Sequence, residues 1–154
     1  MIFCRICGAQ TDFIFKNKVM NKYDGDYYKC SQCGFIQVND PFWLKDAYAN
    51  PINDEDRGLL QRNINLSLIM AVIIVCCFDK KGTFLDFGGG YGIFARLMND
   101  FGFNFKTYDK YTGNLFGKDL EADLKSCEKY NAVSSFELLE HLEDPLEEIK
   151  FILT

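Results

Sequence analysis

Basic residues are in short supply: 17 Lys and Arg stand against 22 Asp and Glu, for a net charge of −5 over 154 residues. That balance argues against a duplex nucleic-acid or an anionic-membrane partner. The opening "MIFCRICG" lacks the basic start and apolar core of a secretory signal, so a cytoplasmic location is expected. The longest apolar run, Leu66–Phe78 ("LSLIMAVIIVCCF"), falls short of the roughly 20 residues that span a bilayer. It reads as a buried helix of about residues 56–78, ending at "DKKG". There is one histidine, His141, far from most of the cysteines. Internal repeats are confined to the cysteine pairs, and low-complexity segments are missing.

Cysteine is what the chain has in excess, with seven residues. Without a secretion signal, they favour thiol chemistry and metal ligation over disulfides. Four form two CxxCG knuckles, Cys4-Arg5-Ile6-Cys7-Gly8 and Cys30-Ser31-Gln32-Cys33-Gly34. Zn2+ takes four soft ligands in a tetrahedron, and two such turns deliver two thiolates each. The glycine after each pair suits a turn at positive φ that aims backbone N–H groups at sulfur. With no histidine nearby the site is Cys4 and closed, a staple for a module too small to fold on its core alone. Rubredoxin-like iron or a nucleic-acid ribbon are the alternatives. Residues 1–40 carry too even a balance of acids and bases to make a basic face. Cys76, Cys77 and Cys127 read as ordinary core or surface thiols.

Residues 1–40 thus form a zinc-ribbon-like domain with short extended runs such as "FIF" and "GFIQV". Residues 41–58 contain two prolines and several Asp and Asn, and read as a linker. From Thr83 the pattern alternates. "TFLDF" is a strand, a helix covers about 92–101, "NFKTYD" is a second strand, "NLF" a weak third and "NAVSSF" a fourth. "LLEHL" makes a helical turn, and Asp144-Pro145 with Glu147 opens another helix. Alternation of this kind means a parallel α/β sheet.

The first strand runs into "FLDFGGGYG", four glycines in a five-residue window, too costly in chain entropy to be idle. A P-loop would need GK[ST], which Tyr91-Gly92-Ile93 does not supply. A dinucleotide fingerprint would need a glycine or alanine where Ile93 stands. The remaining spelling, Asp86-x-Gly88-x-Gly90-x-Gly92, resembles motif I of the class I S-adenosylmethionine-dependent methyltransferases. "SSFELLEHLEDP", Ser134–Pro145, resembles that family's segment after the fourth strand, at the right spacing and in the right order. The two knuckles ahead of such a domain are similar to the arrangement in deoxysugar C-methyltransferases. The resemblance covers most of the chain.

The resemblance implies a Rossmann-like fold, incomplete here, over residues 59–154. It implies backbone contacts to S-adenosylmethionine at Gly88, Gly90 and Gly92, and Asp86 orienting the cofactor's amino group. Asp109, ending the second strand, would accept both ribose hydroxyls; alone it is as well read as a solvated loop acid. Asp119 would meet the adenine amino group, and Phe136 and Glu137 would line the pocket. Glu140 and His141 would take a proton from the acceptor, histidine being the commonest general base. An equally open reading has them cap a helix and pack against the cofactor. Tyr48 would fold over the cofactor, or pack as an ordinary aromatic. The implied activity is methyl transfer to a small molecule such as a nucleotide-sugar. Because the family sheet has seven strands and the pattern yields four, weak or absent turnover is expected of this chain alone. Two further readings stand: a zinc-ribbon interaction module with a degenerate, inactive half domain, and a nicotinamide-dependent enzyme.

Overall fold

The computed structural model describes residues 1–44, 46, 57–126 and 129–153, so Tyr48 and Cys127 lie outside the described residues. The chain divides into two compact units, Met1–Asn50 with Leu139–Thr154, and Pro51–Leu138.

The first unit carries an antiparallel sheet in the order β1 (Thr11–Val19), β2 (Tyr23–Cys30), β3 (Ile36–Val38). The sequence pattern suggests only short extended runs here and misses β2, "YDGDYYKC", whose glycine and two aspartates dilute strand propensity. Pairing decides the matter instead. The chain reverses through Met20 and Asn21, both at φ 54°, and the register runs from Val19↔Tyr23 to Thr11↔Cys30. Across it Phe15 stacks on Tyr27 at 4.6 Å, and Lys18 reaches Asp24 at 2.7 Å. In the same unit α3 (Pro145–Ile152) starts as its residues suggest: the Asp144 side chain accepts the Glu147 N–H at 3.1 Å, and Pro145 occupies the first turn.

The second unit holds α1 (Leu59–Cys77), β4 (Thr83–Phe87), α2 (Ile93–Asp100), β5 (Asn104–Tyr108) and β6 (Ala132–Ser134). The three strands are parallel, in the order β5-β4-β6. This is the expected α/β architecture with a parallel sheet. β4 is central and buried on both faces, as in parallel sheets covered on two sides. On one face Phe84, Phe105 and Ala132 share a row, and Ile74 of α1 with Phe94, Ala95 and Met98 of α2 close over it. Phe84 stacks on Phe105 at 5.2 Å, and Phe94 meets Phe105 edge-on at 5.5 Å. Each such fully buried aromatic contributes on the order of 1.5–3 kcal/mol of transfer free energy.

Two sequence expectations fail in this unit. "NLF", residues 114–116, is not a strand. The Leu115 and Phe116 N–H groups both donate to the Tyr91 carbonyl, at 3.1 and 3.0 Å, so their hydrogen bonds are spent on the turn before α2. What remains of a third strand is one parallel bridge, Thr107↔Glu121. Second, α1 is not a buried helix. Only Ser67 and Ile74 are buried, while Leu60, Leu68, Ile69 and Val72 are more than half exposed. A three-strand sheet offers one stripe of contact, and among the described residues the other sides of the helix stay largely exposed. By length and composition alone α1 can cross a bilayer: 19 residues, mean hydropathy 1.8, with 11% of that window buried.

Candidate functional site

The glycine turn lies where β4 hands over to α2. The Gly88 and Gly89 N–H groups both donate to the Tyr108 carbonyl, at 2.7 and 3.2 Å, which pins the turn to the end of β5. Gly88, Gly90 and Gly92 sit at φ 78°, 56° and 81°, a region that only glycine enters at no steric cost. A side chain at Gly88 would run into Leu138, 2.6 Å from the Cβ position, and one at Gly92 would overlap the Asn114 amide. Among the described residues, nothing lies within 4 Å of where a Cβ on Gly90 would stand. Of the turn's positive-φ glycines, Gly90 is the one that faces open space among the described residues, and there a ligand can approach the bare backbone.

The two acids differ sharply in setting. Asp109 is half-buried and spends its carboxylate on the turn: Oδ2 accepts the Gly90 N–H at 2.9 Å, and Oδ1 accepts those of Tyr111 and Thr112 at 2.8 and 2.7 Å. A carboxylate has about four acceptor positions, so one is left for a ligand unless the Gly90 bond opens. Asp86 is 2% exposed and accepts from the Ser134 hydroxyl at 3.0 Å. Burial pushes its carboxyl up to about 7, the Ser134 hydrogen bond opposing and the Asp109 charge adding.

Further along, Phe136 packs edge-on against Phe94 of α2 at 5.1 Å. Glu137 is exposed and holds a positive φ of 55°, with its carboxylate 3.7 Å from the Arg62 guanidinium. A non-glycine residue in that region is strained, and such strain clusters at ligand sites. Asp119 is exposed in the short 3-10 turn Lys118–Leu120. Glu140 and His141, both exposed, lie in the 3-10 turn Leu139–His141, which belongs to the other compact unit. Thus Asp86, Gly88, Gly90, Gly92 and Asp109 converge on one turn, with Phe136 tied to the helix that follows it.

Three residues of this site escape motif reading. Thr107 and Ser134 are the register partners of Asp86 on β5 and β6, and Asn114 clamps Gly117 from both sides, donating to its carbonyl at 2.6 Å and accepting its N–H at 2.8 Å. The first two emerge only from strand register, and nothing in the sequence pattern marks Asn114, which lies in a loop.

In the first unit the four knuckle cysteines come together, their Sγ atoms all within 4.8 Å of one another. Cys4 and Cys33 approach to 3.6 Å, and Cys7 and Cys30 to 3.5 Å. A tetrahedron with metal–sulfur bonds of about 2.3 Å has edges near 3.8 Å, so the donor set fits one metal ion. Gly8 and Gly34 take φ 73° and 76° and return their N–H groups to the Cys4 and Cys30 carbonyls. The Cys33 amide, opposed by burial and aided by the Gln32 amide, pulls the Cys30 thiol down to about 6. A thiolate is what a metal needs there.

A family model described as a methyltransferase domain matches residues 59–154. No curated protein matches the chain.

Proposed function

Since the chain belongs to the methyltransferase-domain family, we propose that it is an S-adenosylmethionine-dependent methyltransferase acting on a small molecule, such as a nucleotide-sugar. S-Adenosylmethionine supplies an electrophilic methyl group on a sulfonium centre. The open backbone over Gly90, backed by Asp109, is the observation that carries this reading. Gly88, Gly90 and Gly92 form the backbone wall of the cofactor cradle, and Asp109 offers its remaining acceptor position to the ribose. Asp86 orders the turn from beneath, Phe136 and Glu137 border the cofactor, and Asp119 reads the adenine.

Displacement at a methyl group is in-line, so the protein's chief contribution is to hold the acceptor about 3 Å from the carbon under attack. A carbon or hydroxyl acceptor must also lose a proton. His141 accepts it, and Glu140 orients the acceptor or shares the proton. Cys4, Cys7, Cys30 and Cys33 hold Zn2+ as a closed structural site with no part in the chemistry. The protein works in the cytoplasm, without nucleic-acid or membrane partners.

Calorimetry with S-adenosylmethionine, with metal analysis on the same sample, tests the reading. The expected result is one cofactor site and one zinc per chain. In a turnover assay with keto-sugar nucleotides on an intact enzyme that carries the whole family sheet, His141→Asn should lose methyl transfer and keep cofactor affinity; unchanged turnover with retained cofactor binding removes the base assignment. The competing reading, an interaction module with an inactive half domain, draws support from Asp109, whose carboxylate is largely occupied by its own turn. Failure to bind the cofactor at all would favour it.

A further inference from the structure

Under the glycine turn the sheet carries a polar row. Register sets Thr107 of β5 and Ser134 of β6 on either side of Asp86 of β4, and the three are 2%, 5% and 2% exposed. The next row down is Phe105, Phe84 and Ala132, so the polar row lies between an apolar core and the turn. Ser134 donates to Asp86 Oδ1 at 3.0 Å. The other carboxyl oxygen, Oδ2, and Thr107 Oγ1 both crowd the same side of Gly89, where an added Cβ would overlap each of them. Among the described residues Thr107 Oγ1 has no hydrogen-bond partner, although it is buried. A buried hydroxyl left unpaired is costly, and Asp86 Oδ2 is a polar atom on the same side of Gly89 toward which a rotation of Thr107 can turn it.

We propose that Thr107 and Ser134 are positioning residues for the cofactor turn, acting through Asp86: they hold an exchangeable proton between them, and its loss prepares the turn for a cationic ligand. The proposal deepens the methyltransferase reading and rests on it. With the proton in place, Asp86 accepts from Ser134 and donates from Oδ2 to Thr107. Once the proton has passed to solvent, both hydroxyls donate to the carboxylate. The charge that acts on Asp86 is that of Asp109, just beyond β5, while β5 and β6 themselves present hydroxyls. Two carboxylates under one turn repel each other, and a sulfonium above the turn offsets that repulsion. S-Adenosylmethionine carries the sulfonium and S-adenosylhomocysteine does not, so ionisation of Asp86 favours the first over the second.

Two measurements on the full chain test this. Carbon-13 NMR follows the Asp86 carboxyl through a pH titration without ligand. The wild type should titrate near neutral pH, Thr107→Val and Ser134→Ala should titrate higher because a donor to the charged form is gone, and Thr107→Ser should restore the wild-type curve. Calorimetry then follows affinity from pH 6 to 8. Binding of S-adenosylmethionine should tighten by up to about tenfold, binding of S-adenosylhomocysteine should change less, and Asp86→Asn should abolish the difference. Titration curves for Thr107→Val and Ser134→Ala that superimpose on wild type overturn the proposal, as does cofactor binding with no pH dependence. No binding of either compound at any pH overturns the methyltransferase reading instead, and the ligand-free titration then decides the polar row by itself.

Discussion

A Cβ on Gly89 would overlap Thr107 Oγ1 and Asp86 Oδ2, whereas one on Gly90 would meet nothing within 4 Å among the described residues, and the backbone angle of 56° is what resists it. Gly89→Ala should therefore cost about 1–3 kcal/mol of folding stability through overpacking. Gly90→Ala should cost only about 1 kcal/mol, from the left-handed backbone, yet lose cofactor affinity by blocking the open side. Urea unfolding and calorimetry on the two variants separate these effects, and equal affinity losses would contradict the assignment. Asp86 supplies a second test. Its carboxyl keeps a proton up to about 7 in the folded chain but only to about 3.9 in an unfolded one. Between those values the folded state binds the extra proton, so stability falls as pH rises through that window. Asp86→Asn should gain on wild type when urea midpoints at pH 5 and pH 8 are compared; a constant offset between the two would refute this.

Among the elements, those that announce themselves through turn chemistry form where expected. The Asp144-Pro145 start of α3 and the glycine-ended β4 belong to this group, because a cap or a positive φ is a local requirement that few residues meet. β2 and residues 114–116 went the other way. Strand pairing created the first from a sequence with poor strand propensity, and hydrogen bonds to the Tyr91 carbonyl took the second. α1 shows a different limit: its apolar run was plain, but not whether anything covers it. Ile74, buried against α2 and the sheet, should cost about 2–5 kcal/mol when cut to alanine. Leu68→Glu, at a position 53% exposed, should change stability by less than about 0.5 kcal/mol. It should also reduce self-association, because a broad apolar surface drives chains together. Thermal unfolding and light scattering on both variants check the contrast, and a large stability loss for Leu68→Glu would contradict the exposed face.

For the molecule as a whole, the cysteine spacing was the most legible feature, since four thiols in two short turns have few arrangements other than one cluster. The glycine–acid pattern was legible as a site, but its supporting residues were not, because Thr107 and Ser134 become visible only through strand register. With two compact units, metal removal should act on one of them. A strong chelator, or Cys30→Ser, should raise amide exchange throughout β1, β2 and β3 while leaving β4, α2 and β5 protected; loss of protection in both units together would show that they fold as one. α1 has a further corollary in a living cell. Holdase chaperones and quality-control proteases select contiguous aliphatic surface, and a folded chain displaying Leu60, Ile64, Leu68 and Val72 along one helix carries the signature of an unfinished one. Its lifetime should then depend on how soon that surface is shielded as well as on how firmly its core is packed.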